Sequence, residues 1–110
     1  MHRLHTRPTA DLDLPLRRAL RAMLDAAYDG DFADADWEHA LCGTHVWIEG
    51  PAGIVSHGAV VPRTVTCGGR ALQAGYVEAV ATVAALRGRG HGTAVMRCLG
   101  ELIRDRYELG

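Results

Sequence analysis

A glycine-rich run with two arginines, Arg87-Gly88-Arg89-Gly90-His91-Gly92, is the part of the sequence whose residue types suggest chemistry most directly. It lies between a predicted strand and a predicted helix, where consecutive backbone N–H groups can face one hollow at the positive end of the helix. Glycine lets the backbone approach an anion closely, and arginine side chains can add charge-assisted hydrogen bonds. The run therefore predicts an anion site that suits a pyrophosphate.

Two familiar glycine loops fit this run poorly. A P-loop needs a lysine followed by serine or threonine after its glycines, and that pair is absent. The dinucleotide fingerprint needs glycine where Thr93 stands, and an acidic residue after a further strand that the chain does not reach. A nucleotide-binding protein that uses the same loop stays an open alternative.

Acidic residues form a second group, with five carboxylates within ten residues: Asp29, Asp31, Asp34, Asp36 and Glu38. A multiply protonated amine would be attracted by such a field. The same acids also suit a solvated loop and a helix start, where carboxylates favour the helix dipole. From the residues alone the second interpretation is the more ordinary one.

Glu78 interrupts an otherwise apolar stretch, residues 76–81, of a predicted strand. An unpaired buried carboxylate costs on the order of several kcal/mol, so a compensating group is expected. One candidate is an ammonium group of a substrate. The other is a role as general base, directly or through water. An ordinary outward-facing strand residue is the alternative to both.

The remaining polar residues indicate no further site. Three histidines are scattered singly and receive no role: His39, His45 and His57. Three cysteines are odd in number and never spaced as C-x-x-C, which argues against a disulfide framework or a metal site: Cys42, Cys67 and Cys98. We expect Trp37 and Trp47 to belong to the core, and no metal is predicted.

The elements that must position these residues begin with a weak strand and two helices. Residues 3–9 form a weak strand that Pro8 confines to a sheet edge. Asp11 or Asp13 can cap a helix that has Pro15 in its first turn and ends near residues 29–30. A shorter helix is predicted from Asp34, as cap, to residue 43, with Trp37 and Leu41 facing inward.

Strands follow, because residues 44–66 are rich in β-branched side chains and are punctuated by turn residues at 50–53 and 68–69. Two hairpins in series predict an antiparallel meander whose third strand, residues 70–83, is the longest. The glycine loop, residues 84–92, then leads into an amphipathic helix over 93–107, with Tyr107 in its last turn.

Composition limits the partners. With 110 residues, 48% hydrophobic and 23% charged, the chain suits one globular domain. A net charge of -1 leaves no basic surplus for nucleic acid or an anionic membrane surface. No stretch approaches the roughly 18 apolar residues that a membrane span needs. We expect a cytoplasmic protein with a small-molecule or protein partner.

The glycine loop resembles the R/Q-x-x-G-x-G/A loop of the GNAT acetyltransferases, with Arg87, Gly90 and Gly92 at its fixed positions. The resemblance implies an α/β (α+β) fold with a mostly antiparallel sheet and flanking helices. It also implies acetyl-coenzyme A as co-substrate.

A closer resemblance, to the aminoglycoside 2'-N-acetyltransferases, rests on Gly30-Asp31-Phe32, Asp36-Trp37-Glu38-His39 and Gly75-Tyr76-Val77-Glu78. It implies an aminoglycoside substrate and an antibiotic-resistance function. It implies that backbone groups of Val80, Ala81 and Thr82 contact the cofactor, and that residues 87–92 bind its pyrophosphate: Arg87, Gly88, Arg89, Gly90, His91 and Gly92. The antibiotic would meet Asp31, Asp36, Glu78 and the backbone at Ala79, with Glu78 as catalytic base or amine anchor.

Members of this family continue past the last predicted helix, so we expect residues 1–110 to form a single, partial acetyltransferase domain. Tyr107 does not match the tyrosine that commonly serves the family as general acid. The third strand should have a partly unpaired edge, which favours weak stability, a homodimer or pairing with another segment. The alternative function is a catalytically inactive fragment that binds coenzyme A or a partner.

Overall fold

A four-stranded antiparallel sheet forms the centre of the computed structural model, which describes all 110 residues. The elements are β1 (Arg3–Pro8), α1 (Leu14–Ala27), α2 (Asp34–Ala40), β2 (Thr44–Gly50), β3 (Gly53–Cys67), β4 (Arg70–Thr82) and α3 (His91–Arg106), with 3-10 turns at Thr9–Asp11 and Ala84–Leu86. The strands lie in chain order, with β1 at one edge and β4 at the other. The predicted α+β class, edge strand and meander are confirmed.

The longest strand is β3, with 15 residues against 13 for β4, so the prediction that the last strand is the longest was wrong. The β-branched residues between positions 54 and 66 belong to one continuous strand, which passes through Pro62. Pro62 pairs with Gly75, whose N–H donates to Leu109 on its far side. The backbone groups of this pair therefore face away from each other, and the missing N–H of proline breaks no rung.

Helices cover both faces of the sheet. On one face, Val95 and Leu99 of α3 join strand residues in the largest buried cluster: Val46, Ile48, Val55 and Val60. On the other face, Leu20 of α1 contacts Trp47, and Phe32 packs against Met23 and Leu24. Alternate residues of a strand point to opposite faces, so β2 serves both cores.

The helix starts show which acids act as caps. Asp13 caps α1, because its carboxylate accepts from the Leu16 N–H at 2.9 Å, whereas Asp11 lies in the preceding turn. Asp34 was expected to cap α2, but it is the first helical residue. The cap position belongs to Ala33, whose N–H donates to Asp36 at 3.1 Å.

The helix ends also differ from expectation. The second helix ends at Ala40 rather than at residue 43, and α3 begins at His91 rather than at Thr93. Tyr107 lies just past the end of α3, where it packs against Gly75 of β4. No helix is long and apolar enough to cross a bilayer.

The outer edge of β4 is contacted over residues 73–75 by residues 108 and 109. Leu109 forms an isolated parallel bridge with Ala74, and its carbonyl accepts from the Gly75 N–H at 2.8 Å. From residue 76 to residue 82 no further strand pairs with this edge. The outer edge of β4 is therefore unpaired along the segment that contains Glu78.

Candidate active site

The loop after β4 presents six consecutive amide groups without a backbone partner. The N–H groups of residues 88–93 donate to no backbone carbonyl, whereas Arg87 donates to Ala84 and Ala94 donates to Gly90. The loop and the end of β4 enclose a hollow of about 180 Å³ at the start of α3. The predicted strand-to-helix crossing is confirmed, and its free donors lie at the positive end of a sixteen-residue helix.

Glycine is required in this loop by backbone conformation. Gly88 and Gly90 have φ angles of +80° and +85°, in the left-handed region that L side chains rarely adopt. A Cβ at either position would meet no neighbouring atom within 4 Å. The two glycines thus turn the backbone so that the amides converge, rather than make room for a crowded neighbour.

Arg87 lines the hollow, but its guanidinium is already bonded within the protein. Its guanidinium donates to the Thr82 carbonyl and to the Ala27 carbonyl, each at 3.2 Å. Ala27 ends α1, where unpaired carbonyls attract a cation. Arg87 therefore ties the loop to α1, and Arg89 does not line the hollow.

A β-bulge in β4 lies between the loop and the acidic residues. His57 pairs with Ala81 and Ala59 with Glu78, so three steps along β4 oppose two along β3. Ala79, within the bulge, has a φ of +54°. A left-handed alanine costs on the order of 1–2 kcal/mol and persists only when its surroundings hold it.

Beyond the bulge, the backbone groups of β4 alternate between β3 and the free edge. The Val83 N–H donates to Val55 of β3, so alternation directs Ala81 towards β3 and directs Val80 and Thr82 to the free edge. A serine hydroxyl of β3, from Ser56, donates to the Ala81 carbonyl at 3.2 Å. The backbone groups of Ala81 therefore face β3, and those of Val80 and Thr82 face the free edge, where their carbonyls accept from Tyr28 and Arg87. The cofactor contacts expected of these three residues stay predictions, and for Val80 and Thr82 they fall to the N–H groups.

The acidic residues singled out in the sequence converge on one cleft of about 360 Å³. Asp31 and Asp36 come from the loop before α2 and its first turn, and Glu78 and Ala79 come from the bulge. Three further residues line it: Tyr28, Phe32 and His39. Asp29, Asp34 and Glu38 do not line the cleft, so only two of the five clustered carboxylates face it.

Arg21 of α1 fixes the acidic loop. Its guanidinium bonds the Asp25 carboxylate at 2.8 Å, the Asp34 carboxylate at 2.9 Å and the Phe32 carbonyl at 3.3 Å. It also lies 5.4 Å above the Phe32 ring. Asp34 is thus held by a cation, while Asp31 of the same loop has no bonded partner in the protein and faces the cleft.

Glu78 is compensated by a residue of the chain itself. The Arg63 guanidinium lies 3.0 Å from one carboxylate oxygen of Glu78 and 4.9 Å from the centre of the Tyr76 ring. The Glu78 side chain is 22% exposed and that of Arg63 is 44% exposed. The buried, unpaired carboxylate expected from the sequence is therefore half-buried and paired, with an internal cation where a substrate ammonium was considered.

His45 and His57 are not isolated, which corrects their description as scattered. Both are fully buried, and their rings share a 2.9 Å hydrogen bond beneath Trp37. Burial lowers the pKa of His45 to about 3, with a smaller lowering from His57 and Arg17. Burial also lowers the pKa of His57 to about 4, against an opposing hydrogen bond to Ala79. Both rings are neutral at pH 7.

Some site residues were missed in the sequence. His45 lies opposite Ala59, on the same face as His57 two residues away, because a bulge at residues 48 and 49 shifts the register that the turn at residues 50–53 sets. The turn alone would place the two rings on opposite faces, so the sequence carries no local signal that brings them together. Tyr28, which donates to the Val80 carbonyl at 2.6 Å, carries no such signal because it comes from a distant helix end.

The comparisons with known proteins show the family to which this chain belongs. The model of the acetyltransferase (GNAT) domain matches residues 17–108. The chain belongs to this family. No group of three or more His, Cys, Asp or Glu side chains is arranged to hold a metal ion.

Among characterised relatives, an aminoglycoside 2'-N-acetyltransferase of Mycolicibacterium fortuitum is 46% identical over 102 residues. That match covers 93% of this chain and 52% of the relative, so the chain spans about half the length of that enzyme. Two solved structures share the fold. ElaA of Escherichia coli has a TM-score of 0.74 at 18% identity, over 96% of this chain and 72% of its own. An aminoglycoside acetyltransferase from an uncultured soil sample has a TM-score of 0.71 at 18% identity, over 99% and 76%.

Proposed function

We propose that this chain contributes the acetyl-coenzyme A loop and the amine cleft of an N-acetyltransferase that acetylates an aminoglycoside antibiotic, at its 2'-amino group. The observation that carries the proposal is the continuity of β4. Glu78 and Ala79 line the acidic cleft, Val80 and Thr82 turn to the free edge, and the amide hollow follows. The name of the M. fortuitum relative supports the substrate class. A role in antibiotic resistance is proposed because acetylation removes the positive charge of an amino group on the antibiotic.

The residues present fit the pyrophosphate of coenzyme A. Six unpartnered amides at a helix N-terminus form a site for a compact, multiply charged anion, and backbone donors do not depend on pH. When bound, acetyl-coenzyme A supplies the thioester carbonyl that the amine attacks. In this proposal the Val80 N–H, which faces the free edge of β4 rather than β3, polarises that carbonyl.

The acidic cleft serves the amine. Asp31 and Asp36 attract the protonated amino groups of the antibiotic, and their charges orient it against β4. Glu78 binds the reacting amine as its anchor, or accepts the proton that this amine must lose, directly or through water. One Glu78 oxygen already accepts from Arg63, so the other oxygen is the proposed site of contact.

Two measurements on the chain test the proposal. Isothermal titration with coenzyme A should show binding, and an assay of free thiol with acetyl-coenzyme A plus an aminoglycoside should show turnover. Binding without turnover supports a non-catalytic fragment, and absence of binding overturns both interpretations. A stronger response to an adenine dinucleotide than to coenzyme A would assign the loop to another class of nucleotide.

Gly90→Ala should weaken coenzyme A binding about 5- to 10-fold. Forcing a Cβ into a φ of +85° costs on the order of 1–2 kcal/mol, and relief of that strain rotates the amides away from the hollow. Titration of both proteins with coenzyme A measures the effect. The control is Gly100→Ala within α3, where the nearest atom would be 3.6 Å away and alanine favours the helix. Equal affinity of Gly90→Ala and the parent would remove the loop from the binding site.

Arg63→Gln should lower the KM for the amine by a factor of about 2 to 5. The substitution removes a cation that competes with the substrate ammonium for Glu78. Partly exposed ion pairs of this kind contribute about 0.2–1 kcal/mol, which sets the size of the effect. Steady-state kinetics at constant acetyl-coenzyme A provide the measurement, with Arg63→Lys as the charge-retaining control. An increase in KM would show instead that Arg63 assists substrate binding.

The remaining features of the proposal concern partners and location. The free edge of β4, from residue 76 to residue 82, is proposed to pair with a strand from another segment or a second copy. A reducing, cytoplasmic location is proposed because all three cysteines are free and two of them are exposed.

A further inference from the structure

A series of buried and part-buried hydrogen bonds runs across one face of the sheet and ends at the bulge of β4. The Thr9 hydroxyl lies 2.8 Å from Nε2 of His45, whose Nδ1 lies 2.9 Å from Nε2 of His57. Nδ1 of His57 lies 2.8 Å from the Ala79 carbonyl oxygen. Neither ring has any exposed surface. The contacts join Thr9, just after the edge strand β1, to Ala79 in β4 at the other edge of the sheet.

The direction of this series follows from its last member. A carbonyl oxygen only accepts, so Nδ1 of His57 must carry the proton. A neutral imidazole has one N–H, so Nε2 of His57 accepts from Nδ1–H of His45, and Nε2 of His45 accepts from the Thr9 hydroxyl. One tautomer therefore satisfies the contacts between the two rings and Ala79, with the proton on Nδ1 of both rings. The Thr9 hydroxyl also lies 3.1 Å from the Gly43 carbonyl, and its single proton can serve only one of the two acceptors. His45 has no other donor for Nε2, whereas the Gly43 carbonyl also accepts from the Thr9 N–H at 3.2 Å, so we assign the hydroxyl proton to His45.

The series of hydrogen bonds ends at a residue whose backbone conformation is unfavourable. Ala79 has a φ of +54°, and its carbonyl accepts from His57. The next carbonyl along β4, that of Val80, accepts from the Tyr28 hydroxyl at 2.6 Å. Two side chains from different elements thus hold successive carbonyls of the bulge. Glu78, one residue before, lines the cleft.

We propose that His57, oriented by His45 and Thr9, is a positioning residue that holds the Ala79 bulge so that Glu78 and the Val80 backbone face the reacting groups. The inference rests on the proposed function for its kinetic consequence, but the conformation of the bulge can be observed without turnover. His57 does not touch substrate in this proposal, and acts through the Ala79 carbonyl.

Two amide variants of His57 separate positioning from general stability. In His57→Asn the side-chain nitrogen takes the place of Nδ1 and can still donate to Ala79, while the Nδ1–H of His45 loses its acceptor. In His57→Gln the amide takes the place of Nε2 and can still accept from His45, while the Ala79 carbonyl loses its donor. Each variant leaves one buried group without a partner, so the two should lose comparable thermal stability.

The expected result is a difference in kcat. His57→Asn should stay within about 3-fold of the parent, and His57→Gln should lose roughly 10-fold or more, with coenzyme A affinity unchanged in both. In ¹⁵N-labelled protein without ligands, the amide signals of residues 78–80 should keep their positions in His57→Asn and shift or broaden in His57→Gln. Long-range ¹H–¹⁵N spectra of the parent should show Nδ1–H tautomers for both histidines.

Equal kcat values for the two variants, or bulge signals unmoved in His57→Gln, would overturn the inference. If the parent shows no turnover, the proposed function fails separately, and the spectra alone decide whether His57 holds the bulge. Should the His57 variants not fold, Thr9→Val against Thr9→Ser provides the same comparison at the far end of the series. Thr9→Val should shift the bulge signals and Thr9→Ser should not, and the reverse outcome would overturn the inference.

Discussion

Glu78→Gln is expected to lower kcat/KM for an aminoglycoside by about 10²-fold or more, while the fold stays intact. The substitution keeps the shape of the side chain and removes its charge, which the proposal uses to bind or deprotonate the amine. A hydrogen bond to a charged group contributes about 1.5–3 kcal/mol, and a positioned general base contributes roughly 10²- to 10⁴-fold. Loss of the partly exposed Arg63 pair adds at most about 1 kcal/mol to the loss of stability.

Kinetics of this variant also decide between the two roles of Glu78. An amine anchor acts on binding, so its loss should raise KM with little change in kcat. A general base acts in the transition state, so its loss should lower kcat and flatten the dependence of kcat on pH. The matched control is Glu108→Gln, which removes the ion pair with Arg70 at the other end of the same strand, 3.3 Å in length. Activity of Glu78→Gln within 3-fold of the parent would remove Glu78 from the site.

The parts of this site that could be predicted are those with a local signature. The glycine loop was recognisable because each of its requirements is met within six consecutive residues and by its position between a strand and a helix. Amphipathic periodicity located α1 and α3, and turn residues located the hairpins. Asp31, Asp36, Glu78 and Ala79 came together as the family resemblance implied.

The parts that could not be predicted depend on distant contacts. Nothing near Arg87 shows that its guanidinium reaches the end of α1, sixty residues earlier in the chain. Likewise, the partner of Glu78 is Arg63, which lies opposite Ala74, four residues from Glu78 along β4, so the strand register alone does not pair them. Alanine at position 79 gives no warning of a left-handed backbone, because the residue favours that region no more than most others. Such features arise from packing, which a single sequence does not display.

Acidification should unfold this chain at a higher pH than its carboxylates alone would require, because of the buried histidines. Unfolded, His45 and His57 take up protons near their ordinary pKa of 6.5. Folded, burial lowers the pKa of His45 to about 3 and that of His57 to about 4. Between these limits the unfolded state binds more protons, so the free energy of unfolding falls as the pH falls. Two such groups give a slope of up to about 2.7 kcal/mol per pH unit and a total loss of several kcal/mol by pH 4.

Urea unfolding at a series of pH values measures this loss, with most of it expected between pH 6 and pH 4. Because a typical domain has a free energy of unfolding of about 5–15 kcal/mol, the effect is large enough to unfold the chain. His57→Asn removes one of the two groups and should roughly halve the slope, whereas the exposed His39, replaced by asparagine, should leave it unchanged. A free energy of unfolding that stays constant from pH 7 to pH 4.5 would contradict the burial of neutral rings. Since the same rings hold the bulge that presents Glu78, activity should decline over the same pH range as stability.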